Sequence, residues 1–105
     1  MGNLEGIATQ LTNIGGVSGD LGRYEETIKN YSQVLNIMEN LNNKPGIARA
    51  LNNLGIIFFK YKREPQKSLD FLQRALEIYK ELNIQQMITT TQNSIDTIKK
   101  QVDVK

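Results

Sequence analysis

The chain has 105 residues, 39% hydrophobic and 23% charged, the balance of one small folded domain. It contains no Cys and no His, which excludes disulfides, thiolate chemistry, and the commonest general base and metal ligand. A net charge of +2 is too small to indicate nucleic acid, and no apolar run approaches the ~20 residues of a membrane span.

The N-terminus, Met1-Gly2-Asn3-Leu4-Glu5-Gly6, lacks the charged-then-apolar order of a secretory signal, so a cytoplasmic location is expected. The first predicted helix covers about 3–18, with Leu4, Ile7, Leu11, Ile14 and Ser18 at helical spacing. Gly19-Asp20-Leu21-Gly22 reads as the turn that ends it. A second helix, about 23–41, carries Ile28, Tyr31, Leu35 and Met38 on one stripe, and Glu25 and Glu26 in its first turn suit the positive end of the helix dipole. The third, about 45–60, opens on Pro45 and is apolar over most of its girth: Ile47, Leu51, Leu54 and Phe58 on one side, Ala50, Ile57 and Phe59 on others. Such a helix must be covered from several directions. The fourth, about 65–82, starts at Pro65 and repeats the stripe with Leu69, Leu72, Leu76 and Tyr79. The fifth, about 85–101, has Ile88, Thr91, Ile95, Ile98 and Val102, with Lys99 and Lys100 near its C-terminal end.

These elements repeat. Gly6-Ile7-Ala8 and Leu11 to Gly15 match Gly46-Ile47-Ala48 and Leu51 to Gly55 at an offset of 40. Ile28, Tyr31, Val34, Leu35 and Ile37 match Leu69, Leu72, Ala75, Leu76 and Ile78 at an offset of 41, so one extra residue lies within Lys60 to Glu64. A third copy starts at Ile88, Ser94 and Ile95 and stops after one element. Small residues recur in register: Gly15 and Gly55, Thr27 and Ser68, Val34 and Ala75. Antiparallel helices crossing at ~8–10 Å require small side chains there. Asp96 replaces the glycine in the third copy, where no partner helix follows.

On Leu11, Ile14-Gly15, Thr27, Tyr31 and Val34, and again on Leu51, Leu54-Gly55, Phe58, Ser68, Leu72 and Ala75, the chain resembles the tetratricopeptide repeat. The longer period is similar to the variant of kinesin light chains and of bacterial and archaeal arrays, with Leu51 to Gly55 and Ala75 to Ile78 typical of it. Ser18 departs from the aromatic usual there, and the proline ending the second helix is missing in both units. The resemblance implies an all-α solenoid of antiparallel helix pairs in one domain, 1–105, with five helices. Repeat 1 spans about 6–44, repeat 2 about 45–84, and a capping helix about 85–101.

The resemblance further implies a non-enzymatic module that binds a peptide segment of a partner protein in the groove lined by the first helix of each repeat, with no cofactor or metal. The expected groove residues are Thr9, Thr12, Arg49, Asn52, Ile56, Phe59, Lys60, Asn93 and Lys100, with Asn52 and Asn93 one repeat apart. An amide both donates to and accepts from an extended peptide backbone, and it serves equally to brace a neighbouring helix. Phe59 fits either a ligand anchor or packing under the turn before Pro65. Gly16 and Ile56 stand where a carboxylate-clamp member of the family has Asn, which argues against that specialised activity. Gly15 to Gly22 lacks the Gly-Lys-Ser/Thr of a phosphate loop. The loose cluster Lys60, Lys62, Arg63 and Lys67 reads as a solvated turn. The alternative readings are a slice of a longer array, or an assembly element that forms a homodimer through Leu4, Ile7 and Val17 at one end and Ile98 and Val102 at the other.

Overall fold

The structure, a computed structural model, describes residues 3–103, the side chains of 3–102 among them. Five α-helices follow one another: α1 (Leu4–Asp20), α2 (Tyr24–Asn40), α3 (Lys44–Lys60), α4 (Pro65–Glu81) and α5 (Gln85–Asp103). Residues 1, 2, 104 and 105, where the expected domain begins and ends, lie outside the described residues.

Local chemistry sets the boundaries. Asn3 and Asn43 cap α1 and α3, each side-chain oxygen accepting from a glycine N–H three residues on, Gly6 and Gly46, at 2.9 Å. Pro45 and Pro65 sit in first turns, where a missing N–H costs nothing. Each connection holds one residue with positive φ: Gly22, Asn42, Arg63 and Asn83. Three of these are the types that tolerate a left-handed backbone, and Arg63 is not. The extra residue of the second unit falls in the α3–α4 turn, 61–64, against 21–23 after α1. One expectation needs correction: Gly19 and Asp20 belong to α1, because Leu21 N–H still reaches the Val17 carbonyl at 3.0 Å and the turn proper is Leu21-Gly22.

Each helix packs on its chain neighbours, so the molecule is a row of helices, 51 × 34 × 18 Å in extent. Within a repeat the crossing is fixed by one contact used twice. Thr27 Oγ1 donates to the Gly15 carbonyl at 2.9 Å, and Ser68 Oγ donates to the Gly55 carbonyl at 2.6 Å. A Cβ on Gly15 would stand 2.7 Å from the Tyr31 ring, and one on Gly55 2.7 Å from Leu72. Bare glycine is what lets the pairs close.

The helix α3 is the centre of the core, burying Gly46, Ala48, Ala50, Leu51, Leu54, Gly55, Ile57 and Phe58. Leu69, Leu72 and Leu76 of α4 pack with Ile95 and Ile98 of α5. Two helices at the ends behave differently. Leu4, Ile7 and Ile14 of α1 are exposed and not core, since α1 has a packed neighbour on one side only. Ile98, expected to be an open end, is buried at 3% exposure, and Val102 is half-buried against the same cluster. The C-terminal half of the expected pairing surface therefore does not exist.

Candidate functional site

The first helices of the pairs, α1 and α3, and the capping helix α5 line one face, and two hollows lie along it. The first, between α1 and α3, has a volume of about 210 Å³. Its walls include Thr9, Thr12, Asn13, Arg49 and Asn53, over a floor containing Tyr31 and Val34 of α2. Thr9 and Thr12 spend their hydroxyl protons on their own helix, donating to the carbonyls of Glu5 and Ala8 at 3.0 and 2.9 Å. They remain acceptors. Burial, and secondarily the Asp20 carboxylate, holds the Tyr31 phenol above the ordinary tyrosine range, so it stays a neutral donor.

The second hollow, between α3 and α5, is larger, about 480 Å³. Ile56, Phe59, Leu72 and Ile98 form apolar surface, while Lys60, Thr90, Asn93, Ser94 and Thr97 supply polar groups. A further hollow of about 490 Å³ shares Phe59 and Lys60 and adds Arg63, Pro65, Gln101 and Val102. Phe59 packs partly buried against the α4–α5 cluster and, with Pro65, also lines this hollow.

Of the expected groove residues, Thr9, Thr12 and Arg49 thus meet in one hollow, and Ile56, Phe59, Lys60 and Asn93 in the other. Asn52 is half-buried and Lys100 exposed, and neither lines these hollows. The amide of Asn52 or Asn93 makes no hydrogen bond to a described residue. Asn13, Asn53 and Arg63 went unassigned as groove residues. The signal for two of them was present, because Asn13 and Asn53 are related by the offset of 40 and Ser94 of the second hollow follows at 41.

Electrostatics separates the basic residues. Lys62 pairs with Glu25 at 2.6 Å, and that hydrogen bond, then the Glu25 charge, raises its amine above the usual lysine value. Lys67 lies 3.7 Å from Glu64 and 5.3 Å over the Phe58 ring. Lys60 and Arg63 have no carboxylate partner among the described residues, and both face the hollows beside Phe59. Among the described residues no group of three or more His, Cys, Asp or Glu side chains is placed to hold a metal ion. No helix among them is long and apolar enough to cross a membrane.

A family model described as tetratricopeptide repeat matches residues 6–81, which takes in α2, α3, α4 and all but the first residues of α1. No curated protein matches.

Proposed function

Because the chain belongs to the tetratricopeptide repeat family, whose members are characteristically protein–protein interaction modules, we propose that it binds a peptide segment of a partner protein along the α3–α5 hollow. The observation that carries this is the juxtaposition of apolar Ile56 and Phe59 with the cations Lys60 and Arg63, which have no carboxylate partner among the described residues, and the amide of Asn93, which has no hydrogen bond to one. Apolar surface accepts one ligand side chain, the amide grips its backbone, and the cations select carboxylates. The ligand class is an extended peptide with an apolar residue flanked by acidic ones. The hollow between α1 and α3, with Arg49 and Asn53, extends the track along the same face. The domain itself is read as two repeats, about 6–44 and 45–84, and a cap, about 85–101. Its role is non-enzymatic, and its expected location is cytoplasmic.

Selection from a random peptide library on the immobilised protein tests this. Acidic–apolar sequences should be enriched, and their affinity should fall at least tenfold, about 1.4 kcal/mol, in Asn93→Leu and in Lys60→Glu with helicity unchanged. Binding that survives both substitutions would place the ligand elsewhere.

A further inference from the structure

We propose that α1 is a self-pairing surface, on which a second copy of this chain lays its own α1 antiparallel. Among the described residues, five of the seven large hydrophobics that are exposed lie on or directly after this helix: Leu4 at 40%, Ile7 at 44%, Ile14 at 52%, Val17 at 58% and Leu21 at 64%. Helical spacing gathers them on one side, away from Glu5 and Asp20, as an uncharged patch on the order of 500 Å². That is the size of the largest apolar patch on a typical monomer, which is often a functional one.

The repeat register shows what such a face is for. Forty residues on, Leu4 corresponds to exposed Lys44, while Ile7, Ile14, Val17 and Leu21 correspond to Ile47, Leu54, Ile57 and, directly after α3, Tyr61. There Leu54 and Ile57 are buried at 1% and 7%, and the Tyr61 ring stacks on Tyr24 of α2 with centroids 4.0 Å apart. The face of α1 is therefore a helix-packing face without its helix.

Three observations choose the occupant. At the crossing position, α3 has Ala50 and α5 has Thr91, exposed at 2% and 0%, whereas α1 has exposed Gln10. A glutamine does not fit the close crossing that a second-helix neighbour makes. The outer end of the row offers no match either, because the residues of α5 that are exposed among Gln85–Val102 are all polar. Head-to-tail stacking would leave the patch against amides and charges, which disfavours open filaments and leaves closed twofold pairing. Finally, the order Leu4, Ile7, Gln10, Ile14, Val17, Leu21 reads nearly the same in both directions. In an antiparallel pair each Leu4 meets Leu21 of the partner subunit and each Ile7 meets Val17 of the partner subunit. On the same register each Gln10 lies opposite Ile14 of the partner subunit, so the two Gln10 amides, each both donor and acceptor, stand on either side of the axis. A single helix pair about 25 Å long buries less than a standard interface of ~1,600 Å², so the dimer is expected to be transient.

Sedimentation from micromolar to millimolar concentration tests the proposal. The weight-average mass should rise from 11.9 kDa toward twice that and stop. Ile14→Lys should move the midpoint concentration up by at least tenfold, with circular dichroism and peptide binding at the α3–α5 hollow unchanged. Since the chain has no Cys, orientation can be read directly: a mixture of Ile7→Cys and Val17→Cys copies should cross-link across the pair, and Ile7→Cys alone should not. A mass fixed at 11.9 kDa throughout, growth beyond the dimer, indifference to Ile14→Lys, or same-position cross-linking would each overturn it.

Discussion

Two buried hydroxyls show how one atom's partner decides its worth. Ser68 is fully buried and donates to the Gly55 carbonyl at 2.6 Å, tying α4 to α3. Thr91 is equally buried on α5, yet its Oγ1 has no partner among the described residues. Thr9, Thr12 and Thr90 each return their proton to the carbonyl four residues back, which Thr91 does not. Deleting a satisfied buried hydroxyl costs about 1 kcal/mol, while an unsatisfied one already costs ~1–3 kcal/mol of desolvation. Valine matches threonine in shape and in helix propensity. Thr91→Val is therefore expected to stabilise the fold by about 1 kcal/mol and Ser68→Ala to destabilise it by a similar amount. Urea denaturation of the two variants beside the parent reads both, and a loss of stability in Thr91→Val would mean that the hydroxyl has a partner after all.

Helix pairs turn on glycines that look alike in sequence and differ in space. At Gly15 an added methyl would meet the Tyr31 ring at 2.7 Å, whereas at Gly16 the nearest atom is the Tyr31 hydroxyl at 3.9 Å. Gly15→Ala should open the α1–α2 crossing and cost about 1–3 kcal/mol. Gly16→Ala should add about 0.5–1 kcal/mol by removing backbone entropy from the unfolded chain. Thermal unfolding of the pair separates the two, and equal signs would contradict the packing. The recurrence of Gly15 as Gly55, opposite Thr27 and Ser68, was enough to read this crossing from sequence alone, because a repeated small residue has a geometric cause. Periodicity also placed all five helices, since 3.6-residue spacing and prolines at the starts are local properties. It failed where the answer depends on neighbours. The stripe Leu4, Ile7, Ile14 has the same spacing whether or not a helix covers it, so the sequence supports both a packed stripe and an open end at Leu4 and Ile7, and the three-dimensional arrangement shows it uncovered. The lining of the α1–α3 hollow differs by one residue from the expected groove set: it includes Asn53 and not Asn52, a turn of ~100° about α3 that periodicity does not resolve.

In a row of helices each element is held only by its neighbours, so stability varies along the row. The middle is densest. α3 lies between α2 and α4, and α5 is fastened by a cluster of large side chains, Leu69, Leu72, Leu76, Ile95 and Ile98. The N-terminal end is held differently: the buried cluster joining α1 to α2 and α3 is Ala8, Val34 and Ala50, with Leu11 among the half-buried residues around it. Buried apolar area scales with side-chain size, at about 25 cal/mol per Å², so the smaller residues give α1 the weaker anchorage. Its last turns also contain Gly15, Gly16 and Gly19, each ~1 kcal/mol poorer than Ala as a helix former. Local opening should therefore begin at the C-terminal half of α1 and leave α3 to α5 folded. In dilute solution, native-state hydrogen exchange should find residues 15–20 the least protected helical amides and α3 the most, with α1 at least tenfold faster than α3. Protection equal along the row would mean that the five helices unfold as a single cooperative unit, and that the small side chains of the N-terminal cluster hold α1 as firmly as leucines hold α5.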